Sequence, residues 1–86
     1  MNITELISIV KKKLQTNITI ESIKVEDKSF LHKNHAGNQK DKFHLKIMLE
    51  SNELKKMGKI ESNKRIYKIL DKEMENNIHS IQILIS

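Results

Sequence analysis

Apolar residues change their spacing along this chain, and the changes mark out its elements. Ile3, Leu6, Ile7, Val10 and Leu14 recur every three or four positions, which predicts an amphipathic helix over residues 2–15. Asn2 followed three residues later by Glu5 has the form of a capping box at its start. Over residues 18–26, Ile18 and Ile20 share one parity while Ile23 and Val25 share the other, so a strand is expected to begin near Ile20 after a turn. Residues 43–50 alternate without interruption. Phe43, Leu45, Ile47 and Leu49 fall on one face and His44, Lys46, Met48 and Glu50 on the other, so His44 is expected to point away from the core side.

After Ser51, the segment NELKKMGK predicts a short turn or helix leading into a longer helix over about 61–76. Ile66, Ile69, Leu70 and Met74 form the buried stripe of that helix, with Tyr67 at its border, and Glu61 near its start suits the helix dipole. Asn76-Asn77 ends it. The last segment, IHSIQILIS, reads as a strand in which Ile81, Ile83 and Ile85 share a face with His79. That parity places His79 at the rim of the sheet on the core-facing side. Between the first two strands, Asp27 to Lys42 shows no period and reads as a long loop, a length uncommon without function. The order α-β-β-α-α-β has no repeat and no domain-splitting linker. It predicts an α+β fold of two layers, a three-stranded sheet with its helices packed on one face.

A chain of 86 residues is expected to form a single domain with one core, too small to enclose a substrate between lobes. A binding module is therefore favoured over an enzyme, and no Ser-His-Asp, paired-carboxylate or phosphate-loop pattern argues otherwise. No stretch approaches the roughly 20 apolar residues of a membrane span, and the charges of MNITELISIVKKK follow its apolar part, so a soluble, cytoplasmic protein is expected. A monomer is expected for the free chain, though the pattern does not itself fix the oligomeric state. Sixteen basic against 11 acidic residues give a net charge of +5, a mild bias toward acidic partners. Lys11, Lys12, Lys13, Lys55 and Lys56 are either solvated helix surface or contacts to nucleic acid. The only aromatic residues are Phe30, Phe43 and Tyr67, a poor provision for base stacking.

The chain has no cysteine, so soft-metal chemistry would use imidazole here and take thiolate from a partner. The candidates are His32 and His35 in the long loop, His44 in its strand and His79 opening the last strand. Spacing alone leaves each open. A His-x-x-His pair binds metal only on a formed turn or helix, and a histidine at a strand end equally well bonds a backbone carbonyl.

Asp27, Ser29, His32, His35, Ala36 and Gly37 resemble the D-x-S-x-x-H loop of the BolA family, and His44-Leu45-Lys46-Ile47 is similar to its H-F-K-V strand start. Ser51, Leu54, Ile66, Tyr67 and Leu70 fall at the spacing of its S-x-x-F and helix signature, and Ile78-His79-Ser80-Ile81 resembles its I-H-A-L. The resemblance runs from about Ile20 to Ile85. It implies a single BolA-like domain over 1–86 with a fold similar to a type II KH domain. It further implies an adaptor that shares a bridging 2Fe-2S cluster with a monothiol glutaredoxin and glutathione, in iron–sulfur cluster assembly, transfer or iron regulation. The cluster ligands carry over to His79 and to His32, with His35 as the alternate, and no cluster is expected in the isolated chain. Transcriptional regulation through nucleic acid is the alternative that the resemblance leaves. The family's R-H-R at the main helix is here Ser62-Asn63-Lys64, and Gly58 stands alone where a KH domain carries its GxxG backbone clamp.

Overall fold

The computed structural model describes residues 2–29 and 42–86. Helix α1 spans Ile3–Asn17, strand β1 Ser22–Asp27 and strand β2 Phe43–Glu50. Helices α2 (Asn52–Met57), α3 (Lys59–Ile69) and α4 (Asp71–Asn76) then lead to strand β3, Ile78–Ile85. The three strands form one mixed sheet in the order β1-β2-β3, β1 antiparallel and β3 parallel to β2. The two-layer α+β architecture is thus the one expected from the hydrophobic pattern. A parallel β2–β3 pair needs a crossover connection, and α2 to α4 supply it.

Helix α1 starts as its first residues dictate. The Asn2 side-chain oxygen accepts from the Glu5 N–H at 2.8 Å, while the Asn2 side-chain amide donates to the Glu5 carboxylate at 3.2 Å. The return bond of a capping box is therefore made to the Asn2 side chain rather than to its backbone. Leu6, Val10 and Leu14 of α1 meet Leu45, Ile47 and Leu49 of β2 in one core, joined by Val25, Leu54, Ile66, Leu70 and Ile78. Burying such side chains contributes about 1.5–3 kcal/mol each before the opposing entropy is counted.

Helix α1 runs two residues past its expected end and α3 starts two before its expected start, and two larger departures from the sequence expectation have a structural cause. Strand β1 begins at Ser22 rather than near Ile20, because Ile18 is drawn back as the cap of α1, its N–H bonded to the Leu14 carbonyl at 2.9 Å. The expected helix over 61–76 is two helices meeting at Leu70, whose φ of −94° and ψ of 20° leave the helical region. Leu70 is fully buried there, and the Ile66 carbonyl still accepts its N–H at 3.0 Å, so the chain bends without losing that bond. Beyond the bend, Glu73 takes a two-pronged bond from the Lys13 ammonium, at 2.7 and 2.9 Å, which ties α4 to α1.

Ser51 pins the opposite end of the sheet. Its hydroxyl donates to the Thr19 carbonyl at 2.8 Å and accepts from the Leu54 N–H at 3.2 Å, capping α2 and fastening the α1–β1 connection at once.

Candidate functional site

The start of β3 carries the site. Phe43 pairs with Ile78 and His44 with Ser80, so His79 is the extra residue of a β-bulge. Bulges are rare in parallel pairs and re-aim the side chain they carry. This corrects the expectation that His79 shares the core-facing side with Ile81, Ile83 and Ile85. Ile78 takes the core position, 1% exposed, and His79 is turned out to solvent. Simple alternation fails here because it assumes an unbroken ladder.

His44 does lie across the sheet from Leu45 and Ile47, as its parity requires, yet it is buried, with 6% of its surface exposed. Its Nδ1 is 2.7 Å from the Ser80 hydroxyl, its directly paired neighbour on β3. The His79 ring stands beside it, the two ring centroids 4.8 Å apart and tilted by 56°. One imidazole is therefore held in place by packing and a hydroxyl, and it backs a second that is accessible.

Local chemistry brings the ends of the long loop to this same corner. The Asp27 carboxylate accepts from the Ser29 N–H at 2.9 Å, turning the chain as it leaves β1. The Ser29 hydroxyl then accepts from the His44 N–H at 3.1 Å, and the Lys28 N–H donates to the His44 carbonyl at 2.7 Å. On the other side, the Phe43 N–H donates to the Asn77 carbonyl at 2.9 Å, next to the bulge. The D-x-S pattern thus anchors the start of the loop against His44. His32 and His35 themselves lie outside the described residues.

Among the described residues, no group of three or more His, Cys, Asp or Glu side chains is arranged to hold a metal ion. No helix among them is long and apolar enough to cross a membrane. Of the lysines, Lys13 is bonded to Glu73, Lys12 is exposed and Lys11 half-buried on α1. Lys55 and Lys56 are exposed at the end of α2, and Lys55 borders a cleft beside β3. The contact of His79 with His44 was not readable from sequence, since no pattern announces a bulge.

The fold and this corner define a small α+β domain whose last strand presents one accessible imidazole beside a buried one. The family model described as BolA-like protein matches residues 14–86, and the chain belongs to that family. It is similar to the DNA-binding transcriptional regulator BolA of Haemophilus influenzae, with 27% identity over 75 residues, 87% of this chain and 70% of that protein. It is also 25% identical over 78 residues to the chloroplastic protein BOLA1 of Arabidopsis thaliana, covering 87% of this chain but only 49% of that one. Solved structures share the fold. BolA1 from Arabidopsis thaliana superimposes with a TM-score of 0.78 at 24% identity, covering 93% of this chain and 88% of that one. The BolA domain of SufE1 from the same plant gives 0.79 at 21%, covering 94% and 90%.

Proposed function

We propose that this chain is an adaptor that docks on a monothiol glutaredoxin and completes a bridging 2Fe-2S cluster with it and glutathione. The observation that carries the reading is the His79 imidazole, turned to solvent by the bulge in a chain of the BolA-like family. The donor set suits a shared rather than a private cluster. The chain has no thiolate to offer, and the described residues contain no self-sufficient metal site, so sulfur ligands would come from the partner. His79 would hold the cluster together with a histidine of the loop, His32 or, as alternate, His35. Imidazole is a neutral ligand that is lost on protonation, and a cluster held this way is available for transfer or for sensing. His44 would act behind the site, limiting the positions open to the His79 ring through their contact.

The test is visible absorption and circular dichroism as the protein is titrated into a cluster-loaded monothiol glutaredoxin, with His79→Ala alongside. A new spectrum that saturates near one to one and is lost in the variant supports shared ligation. His79 is exposed, so the variant should keep its fold. An unchanged spectrum with the wild-type chain overturns the reading.

A second reading, nucleic-acid binding, is favoured by the name of the Haemophilus influenzae relative and by the net charge of +5. It requires an affinity for DNA or RNA that falls steeply with added salt, and a shallower slope when Lys11, Lys12, Lys55 and Lys56 are replaced by Gln. A salt-independent or undetectable affinity removes it.

A further inference from the structure

The far end of β3 presents a different opportunity. The Ser86 N–H donates to the Leu49 carbonyl at 2.9 Å, and the Ser86 carbonyl accepts from the Ser51 N–H at 3.1 Å, so both backbone groups of Ser86 face β2. Backbone groups along a strand alternate sides, so those of Ile81, Ile83 and Ile85 face the free edge. The Tyr67 hydroxyl covers the Ile81 carbonyl at 3.5 Å. Ile83 and Ile85 open instead onto a cleft of about 360 Å³, whose opposite wall is Lys55 and Gly58 at the end of α2 and Lys59, Ser62 and Asn63 of α3. None of the described residues that line it carries a side-chain carboxylate. From Asn76 to Ser86 the chain has no charged residue, and Leu84 is 44% exposed. An uncharged, β-branched edge of this kind is a template for another strand.

We infer that this cleft is a strand-addition site for an extended, acidic peptide segment of a partner protein. The peptide backbone would pair with the outward N–H and C=O groups of Ile83 and Ile85, and its carboxylates would meet the Lys55 and Lys59 ammoniums. The two lysines select the occupant. A second copy of this chain would bring its own lysines and its net charge of +5 against them. A single-stranded nucleic acid would find no aromatic ring among the described residues of the cleft on which to stack. The surface is separate from the His79 corner, since four to six residues of strand place its strand wall about 13–20 Å away. The proposal therefore goes beyond the cluster reading and survives its failure.

The probe is a fluorescein-labelled eight-residue peptide of alternating valine and glutamate, followed by fluorescence anisotropy and by amide chemical shifts of the labelled protein. Binding should shift the Ile83 and Ile85 amides, weaken about tenfold in a Lys55→Glu, Lys59→Glu double variant, and remain unchanged in His79→Ala. Both lysines are exposed, so the double variant should fold as the wild type does, which far-ultraviolet circular dichroism checks. A peptide N-methylated on the edge-pairing amides should not bind, which separates strand pairing from simple charge attraction without altering the protein. The proposal is overturned by absence of binding, by equal binding of a valine–lysine peptide, or by undiminished binding of the N-methylated one. It is overturned equally if an oligo-dT strand shifts the same amides more strongly, or if those amides instead report concentration-dependent self-association.

Discussion

β1 and β3 both flank β2, each without a further strand on its outer side among the described residues, but they are finished differently. β1 carries Lys24, Glu26 and Asp27, with Lys28 immediately after, and Glu26 stands 3.6 Å from the Lys24 ammonium and 3.5 Å from that of Lys28. Charges along an edge discourage a second strand from pairing there. β3 has none, and beside its open end stand lysines that belong to the helical layer rather than to the strand. The difference teaches that side-chain charge discourages an added strand beside β1, while beside β3 the neighbouring lysines would select the occupant. β3 also joins two surfaces, since its bulged start carries His79 and its regular end borders the lysine cleft.

The largest expected effect tests how firmly each edge is anchored. Ile78 is 1% exposed and Val25 8% exposed, each sending an apolar side chain from an edge strand into the core. Ile78→Ala is expected to cost about 3 kcal/mol, against about 1.5 kcal/mol for Val25→Ala, because more methylenes are lost and the bulge leaves Ile78 as the inward anchor at that end. Urea denaturation with an unchanged slope measures both. Equal losses would mean that β3 is not fixed at its start, and His79 would then lack the rigid support that an accessible ligand needs.

Much of this was legible in the sequence, and what was not has a physical cause. α1 and β2 could be read because their periods of about 3.6 and 2 run long enough to exclude other assignments, and Leu6, Val10, Leu14, Leu45, Ile47 and Leu49 are all buried as expected. The bend at Leu70 was hidden because Ile66, Leu70 and Met74 keep helical spacing on both sides of it. The bulge was hidden because one extra residue leaves no trace in composition, and it reversed the face assigned to His79. The burial of His44 depended on its partner Ser80 and on the turn at Asp27 and Ser29, which are contacts between distant segments. The roles of His32 and His35 fall outside the described residues.

The smallest expected effect sharpens the contrast from the β1 side. Desolvation pushes the Glu26 carboxyl upward, but the Lys28 and Lys24 ammoniums outweigh it and hold the group below its ordinary value of 4.5. A carboxyl depressed in the folded state stabilises the fold fully above its unfolded value. That contribution is lost as pH falls through the folded value, so the window opens below about pH 4.5. Glu26→Gln should leave stability at pH 7 nearly unchanged, because exposed ion pairs contribute little, and should flatten the decline on acidification at low salt. In 1 M salt, where the Debye length shrinks to about 3 Å, the wild type and the variant should decline alike. The stretch from Asn76 to Ser86 has no Asp, Glu, Lys or Arg, so β3 carries no carboxylate–ammonium pair of this kind. Identical acid profiles for the two proteins at low salt would show that the charges on β1 do not interact. The two edges would then differ only in whether they repel an incoming strand, not in how their own side chains are held.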